Sequence, residues 1–281
     1  MVAYEPTANR QRALVTGASA GIGAAFAARL ARDGYQLILV ARDSNRLADV
    51  ARRLEASHDT QIDMVIADLA RAEDVLNLEQ RIAEGPALDL LINNAGFGTP
   101  GAFIEIAPDD TERMIRVHVV ALVRLTHAAL PAMVACGRGA IINVSSLGAF
   151  DFSSPTYDAT KAYVNVFTES VQREVARTGV RLQALCPGFT RTAFHTSMGV
   201  DPKQDWGVLD SWWMTPEDIV DAALVGFDQR EVVCIPGLDD PMLLTDIYNA
   251  QDRLVQRAVA AGFPASRYRA STKKAGESGD R

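Results

Sequence analysis

Tyr157 and Lys161 are the residues whose types and spacing most directly indicate chemistry. They lie four positions apart, which on a helix places both side chains on one face. A tyrosine with a pKa of ~10 exchanges protons poorly near neutrality, but a neighbouring ammonium lowers that pKa. The pair could therefore move a proton at a reacting oxygen. The same pattern is also common on solvated helices.

Ser145 and Ser146 end a predicted strand shortly before Tyr157. A hydroxyl there could hydrogen-bond a substrate oxygen and stabilise the charge that develops on it. Capping of the strand end is the other interpretation for either serine.

Gly17, Gly21 and Gly23 follow the first predicted strand and open directly into a helix, with Ser19 and Ile22 among them. Glycine lets the backbone turn tightly and approach a phosphate, and a helix N-terminus offers free N–H groups and a positive dipole end. A plain glycine turn is the alternative, because G-x-x-x-G-x-G differs from the commoner G-x-G-x-x-G spacing.

The elements that must position these residues follow from the hydrophobic periodicity. Short apolar runs alternate with longer amphipathic stretches, which predicts βαβ units and a parallel sheet. The pattern contains seven predicted strands, a long helix over about 109–135 and another over about 157–177. It suits an open, doubly wound α/β sheet with helices on both faces. Ligands of such sheets bind outside the carboxyl ends of the strands, where the candidate residues lie.

The length of 281 residues fits a single domain, since single cores stop growing near ~250–300 residues. We expect an N-terminal extension over 1–10 and a catalytic domain over 11–264. A polar, flexible tail is expected over 265–281, because this stretch is rich in Lys, Ser and Gly.

Composition excludes several classes of partner. A net charge of −7 argues against nucleic-acid binding. The N-terminus has no apolar core like that of a signal peptide, and no stretch reaches the ~18 apolar residues of a membrane span, so we expect a cytoplasmic protein with no membrane partner. The four histidines and three cysteines lack metal-ligand and disulfide spacing, which predicts no metal site and reduced, buried thiols.

Four motifs resemble those of the short-chain dehydrogenase/reductase family, in the family's order: TGASAGIG at 16–23, NNAG at 93–96, Tyr157-x-x-x-Lys161 and Pro187-Gly188. The resemblance covers about residues 10–236. It implies a Rossmann-type fold, a dinucleotide cofactor, and a homodimer or homotetramer.

The resemblance also implies roles for individual residues. Ser146 would be the acting serine, although the loop LGAFDFSSPT before Tyr157 is shorter than in the family and leaves Ser145 open. Lys161 would hold the nicotinamide ribose as well as tune Tyr157. The further cofactor-binding residues implied are Gly17, Ser19, Gly21, Ile22, Gly23, Asp68, Leu69, Asn94, Ala95, Gly96, Pro187, Gly188, Thr190 and Thr192.

Arg42 ends the second predicted strand, where a carboxylate would accept hydrogen bonds from the ribose hydroxyls of NAD. A guanidinium suits the 2′-phosphate of NADP instead. We therefore expect NADP(H) as the cofactor. A solvated surface arginine is the alternative.

His118 is where the sequence departs from the family, which normally carries an asparagine at this helix position. In relatives that asparagine helps hold a water that links the catalytic lysine to solvent. An imidazole kept neutral by burial and by Lys161 could serve the same water. Simple packing of the histidine is the competing interpretation.

The segment 189–215 is long for a connection within a compact domain, which favours a mobile substrate lid. Packing in the core or in a subunit interface is the alternative. The segment contains five large apolar or aromatic side chains, Phe194, Met198, Trp206, Trp212 and Trp213. These side chains favour an apolar or aromatic substrate.

These observations predict an NADP(H)-dependent oxidoreductase that moves a hydride between nicotinamide and a carbonyl or secondary-alcohol carbon of a small molecule. Tyr157 would be the general acid/base, assisted by Lys161 and Ser146. The alternative is an NADP(H)-binding sensor or scaffold with weak turnover on the same fold.

Overall fold

The computed structural model describes residues 10–268. The chain folds as two compact units, one that ends at Gly237 and one that begins at Leu238. Residues 1–9 of the predicted extension and 269–281 of the predicted tail lie outside the described residues. The unit that ends at Gly237 contains the sheet and all the candidate site residues.

Seven strands form one parallel sheet: β1 Arg12–Thr16, β2 Gln36–Ala41, β3 Ile62–Ile66, β4 Leu90–Asn93, β5 Gly139–Val144, β6 Val180–Leu185 and β7 Val233–Cys234. Their order across the sheet is β3-β2-β1-β4-β5-β6-β7. The chain leaves β1 in one direction toward β3 and resumes at β4 in the other. The strand order therefore reverses between β1 and β4, where sheets of this kind bind their ligands.

The helices of the first unit are α1 Gly21–Arg32, α2 Ser44–Ser57, α3 Ala72–Glu84, α4 Pro108–Ile115, α5 Leu122–Ala135, α6 Pro155–Val175, α7 Phe194–Ser197, α8 Pro202–Asp205 and α9 Pro216–Asp228. The second unit contains α10 Met242–Ala260. Helix α6 begins two residues before the predicted start, because Pro155 occupies its first turn, where proline is favoured.

Helices cover both faces of the sheet, as the sequence predicts. Side chains of successive strand residues point to opposite faces. Val15 of β1 packs in a core with α1, α2 and α9, whereas its neighbour Leu14 packs in a second core with α3, α5 and α6. The fold is therefore the predicted doubly wound α/β sheet.

Helices α4 and α5 are joined by a π-helical segment, Arg116–Ala121, into one helix of 28 residues. Among the described residues, it is the one helix whose length and composition would allow it to cross a membrane. Met114 and Leu125 of this helix are fully buried in the protein core, and Arg124 pairs with Glu79 of α3. Its apolar composition therefore serves the packing of the fold.

Helix α6 carries Tyr157 and Lys161 and buries one face. Thr160, Lys161, Val164 and Thr168 recur at the three- and four-residue spacing of a helix face and are all buried. The helix packs on β6 and on the end of β5, which fixes the position of Lys161.

The prediction of three buried thiols is wrong for Cys136, which is exposed just after α5.

Candidate active site

The candidate residues gather in the crevice at the carboxyl ends of β1, β4, β5 and β6. Thr16, the last residue of β1, joins β1 to the turn after β4. Its hydroxyl accepts hydrogen bonds from the backbone N–H groups of Asn94 (2.9 Å) and Ala95 (3.0 Å). The Asn94 amide in turn donates to the Thr16 carbonyl at 2.8 Å. Asn94 and Ala95 are thereby fixed beside the glycine-rich loop.

That loop fits a phosphate-bearing cofactor. Gly17 and Gly21 have φ angles of +67° and +56°, which favour glycine, and a side chain at Gly17 would lie 2.8 Å from the Asn94 amide nitrogen. No side chain of the described residues caps the N-terminus of α1, and its first turn has no acidic residue. The backbone N–H groups at Gly21, Ile22 and Gly23 are thus available to an anion.

Arg42 follows β2 and is exposed, and no carboxylate of the described residues pairs with it. The neighbouring Asp43 caps α2 by accepting from the Arg46 N–H at 3.0 Å, and it also pairs with the Arg46 guanidinium at 3.3 Å. The Asp43 carboxylate is therefore bonded to Arg46 of α2. The Arg42 guanidinium remains exposed to solvent.

Asp68 and Leu69 lie at the end of β3, where the resemblance places the adenine ring. Leu69 is buried in the core. The Asp68 carboxylate accepts from Arg113 at 3.0 Å and from the Ala70 N–H at 3.1 Å. Sequence reasoning missed Arg113, because only the fold brings α4 to the end of β3.

The structure brings Ser146, Tyr157 and Lys161 together. The Ser146 hydroxyl lies close enough to the Tyr157 phenol to act on its pKa, which it lowers. The Lys161 ammonium nitrogen lies 5.6 Å from the centre of the Tyr157 ring and donates to the Val144 carbonyl at 2.9 Å. A hydroxyl, a phenol and an ammonium thus share the mouth of one crevice.

Burial dominates the protonation of this group. It raises the pKa of Tyr157 to about 12, although the Ser146 hydroxyl acts in the opposite direction. It also lowers the pKa of Lys161 to about 8. Burial is thus the largest influence on the Tyr157 pKa, and the lowering expected from the Lys161 ammonium stays a prediction. At pH 7 Tyr157 is a phenol and Lys161 an ammonium.

The two serines have different positions. Ser145 is buried, and its hydroxyl donates to the Lys161 carbonyl at 3.0 Å, which holds α6 against β5. Ser146 instead faces Tyr157 and accepts from the Gly148 N–H at 3.1 Å. Of the two, Ser146 is therefore the serine whose hydroxyl lies beside Tyr157.

Pro187 and Gly188 follow β6 and lead into the segment 189–215. The Pro187 carbonyl accepts from the Leu147 N–H at 3.0 Å, which joins this turn to the strand end of Ser146. Thr190 donates to the Gly188 carbonyl at 3.0 Å. Thr192 lies against the phosphate loop, since a side chain at Gly21 would be 3.0 Å from its methyl group.

His118 is buried, and both of its ring nitrogens are engaged. Its Nε2 accepts from the Phe97 N–H at 3.0 Å, and its Nδ1 lies 2.9 Å from the Thr160 hydroxyl. Burial and the Lys161 ammonium lower its pKa well below 6.5. His118 lies within the π-helical segment, a feature frequent at functional sites.

The segment 189–215 places an aromatic cluster over the crevice. The Phe194 ring lies 5.9 Å from the Tyr157 ring. Phe189, Phe194, Trp206 and Trp213 surround the His195 ring with centroid distances of 5.3–5.8 Å. Met198 contacts the backbone at Gly98, whereas Trp206 and Trp212 are each 55% exposed. The cluster thus forms one wall of the site.

Sequence reasoning also missed Phe97 and Thr160. Thr160 carries a detectable signal, because it lies on the buried face of α6 between Tyr157 and Lys161. Phe97 follows NNAG directly, but its backbone N–H acts on a helix residue 21 positions later, which no local pattern shows.

Known proteins are similar to this chain in sequence and in fold. The family model described as short chain dehydrogenase matches residues 11–203. An uncharacterized oxidoreductase of Staphylococcus saprophyticus subsp. saprophyticus is 34% identical over 220 residues, which cover 77% of this chain and 91% of the relative.

Two solved structures extend the similarity to nearly the full length. A bulky-bulky ketone specific alcohol dehydrogenase from Comamonas testosteroni has 34% identity and a TM-score of 0.83, over 92% of this chain and 99% of its own. A short-chain dehydrogenase from Sphingobium yanoikuyae in complex with NADPH has 37% identity and a TM-score of 0.82, over 92% and 100%. The chain therefore belongs to the short-chain dehydrogenase/reductase family of oxidoreductases.

Proposed function

We propose that the protein is an NADP(H)-dependent reductase of carbonyl compounds, or in reverse a dehydrogenase of secondary alcohols. The observation that carries the proposal is the juxtaposition of Ser146, Tyr157 and Lys161 in the crevice where the strand order reverses. A nicotinamide bound there supplies or accepts the hydride.

The residues of the chain handle the proton. Ser146 donates a hydrogen bond to the substrate oxygen and helps stabilise the charge that develops on it. Tyr157 then gives its phenolic proton to that oxygen. Because burial keeps the pKa of Tyr157 near 12, the phenol is the dominant form at neutral pH, and this form is the one that carbonyl reduction needs. Lys161 supplies a positive charge beside the phenolate that remains.

NADP(H) is the proposed cofactor. The exposed Arg42 lies at the strand end where a 2′-phosphate would be recognised, and its neighbour Asp43 is engaged with Arg46. The solved Sphingobium relative is a complex with NADPH, which supports the same choice.

The proposed substrates are ketones or aldehydes with large apolar or aromatic groups. Phe97, Phe194 and the aromatic cluster around His195 surround the approach to Tyr157. The name of the Comamonas relative, specific for bulky-bulky ketones, supports the same class.

We also propose a homodimer or homotetramer, because Tyr163 and Val166 of α6 are exposed apolar side chains.

The test is NADPH oxidation with a panel of aliphatic and aromatic ketones and aldehydes, run beside an NADPH binding titration. Tyr157→Phe removes only the phenolic oxygen, so we expect binding to persist and turnover to fall about 10²–10⁴-fold. Lys161→Ala should weaken NADPH binding and also lower turnover. Binding without turnover by the wild-type protein on the whole panel would favour the sensor function, and substantial turnover by Tyr157→Phe would exclude the proton path.

A further inference from the structure

The protonation state of His118 follows from its hydrogen-bond partners. The backbone N–H of Phe97 can only donate, so His118 Nε2 must be the acceptor at 3.0 Å. The Thr160 hydroxyl donates its single proton to the Tyr157 carbonyl at 2.7 Å, so its oxygen must accept from His118 Nδ1–H at 2.9 Å. The imidazole is therefore neutral, with its proton on Nδ1.

This imidazole joins three separate segments of the site. Its own segment is the π-helix, Phe97 belongs to the loop after β4, and Thr160 belongs to the turn of α6 between Tyr157 and Lys161. The ring also packs edge-on against Phe97 and Tyr157, with centroid distances of 5.8 and 5.7 Å. The approach is close, since a side chain at Gly96 would lie 3.0 Å from His118 Nε2.

The loop held by His118 faces the substrate wall. Gly98, the next residue but one after Gly96, contacts Met198 and Phe194 of the aromatic cluster. The Phe97 ring lies between His118 and Arg113, whose guanidinium is 5.8 Å from its centroid. A shift of Phe97 would therefore change the distance between the substrate wall and Tyr157.

We propose that His118 and Thr160 are positioning residues, in which a neutral Nδ1–H imidazole, its tautomer set by Thr160, clamps the Phe97 loop to the helix turn of Tyr157. The proposal rests on the proposed function for its kinetic consequences, but the clamp itself is a property of the protein alone.

Protonation would open the clamp. A protonated imidazole carries a donor on both nitrogens, so Nε2–H would face the Phe97 N–H and the loop would have to move. The titratable groups that face the ring are Lys161 and Tyr157 of α6. From β1, β4 and β5 the small cavity beside it is lined by Thr16, Asn93 and Val144, which do not titrate. Acidification should therefore raise the KM for the ketone before it changes the chemical step.

The matched variants are Thr160→Val, which removes the hydroxyl, and Thr160→Ser, which keeps it. We expect Thr160→Val, which removes both hydrogen bonds of the Thr160 hydroxyl, to raise the KM for an apolar ketone about five- to thirtyfold, the effect of leaving the buried His118 Nδ1–H without its acceptor. Its kcat and its Kd for NADPH should change less than about threefold, and Thr160→Ser should restore the KM. His118→Gln keeps an acceptor near the Nε2 position and should preserve KM better than His118→Asn.

Nitrogen-15 NMR of the imidazoles in the full-length protein tests the clamp without any turnover. The His118 signals, assigned by their loss in His118→Gln, should show a neutral Nδ1–H tautomer at pH 7.5, and Thr160→Val should shift them toward the Nε2–H tautomer. The exchange of the Phe97 amide proton should accelerate in His118→Asn. If wild-type turnover is absent on every ketone, the proposed function fails while these spectra still decide the clamp.

Three results would overturn the clamp. One is a protonated or Nε2–H imidazole in the wild-type protein at pH 7.5. Another is a folded Thr160→Val variant with an unchanged KM and an unchanged tautomer. The third is a lower kcat in His118→Gln, with a larger solvent isotope effect and an unchanged KM, which would instead establish a proton relay through His118.

Discussion

Replacement of Arg42 by alanine should separate the affinities for NADPH and NADH. A hydrogen bond to a charged group contributes ~1.5–3 kcal/mol, or roughly 13- to 160-fold in Kd. Arg42 is exposed, so solvent screening places the expected loss of NADPH affinity near the lower end, at about tenfold. NADH lacks the 2′-phosphate, so its Kd should change less than about twofold.

Arg46→Ala is the matched control for this experiment. Its side chain is 68% exposed, carries the same charge and lies four residues further on, but it is paired with Asp43. Both variants would be titrated with NADPH and NADH by protein fluorescence at low and high salt. Equal losses for both cofactors in Arg42→Ala, or an equal loss of NADPH affinity in Arg46→Ala, would refute direct recognition of the phosphate by Arg42.

Three further predictions concern the serines, the segment 189–215 and the pH dependence of stability. Ser146→Ala should lower kcat/KM about 10- to 100-fold with little change in Tm, whereas Ser145→Ala should lower Tm, because Ser145 holds α6 on β5; equal kinetic losses would contradict this assignment. The segment 189–215 should exchange deuterium faster than the strands and slow when NADPH and ketone bind; strand-like protection in the free protein would exclude a lid. In the folded protein the pKa of the His118 imidazole lies well below its ordinary value of 6.5. As the pH falls, the unfolded chain therefore binds a proton at this imidazole before the folded protein does. The contribution of His118 to the free energy of unfolding should thus be fully present above about pH 6.5 and decrease below it, and His118→Gln should reduce that slope in chemical denaturation; an identical slope would contradict it.

The sheet and the order of its elements could be predicted from the sequence because each depends on local periodicity. Leu14 and Val15 show the reason, since adjacent apolar residues on one strand serve two cores. The Tyr157 and Lys161 pair was also accessible, because one helix face carries both residues.

The environment of that pair could not be predicted in the same way. The direction of the Tyr157 pKa depends on how deeply α6 is buried, which is a property of the tertiary structure. The partners of His118 likewise come from a loop 21 residues earlier and a helix 42 residues later. The difference between Ser145 and Ser146 required the position of the Lys161 carbonyl.

The π-helical segment Arg116–Ala121 makes the long helix sensitive to a change of chain length by a single residue. A π-turn contains one more residue than an α-turn, and each residue of an α-helix advances the chain by about 100° around its axis. Because the wider turn absorbs that extra residue, deleting one residue from this segment would close an uninterrupted α-helix with α4 and α5 facing nearly the same directions as before. Arg113 could then still meet Asp68, and Arg124 could still meet Glu79. The side chains within the segment would instead be turned around the helix axis, so a homologue with one residue fewer here would aim the side chain at the position of His118 away from the Phe97 N–H.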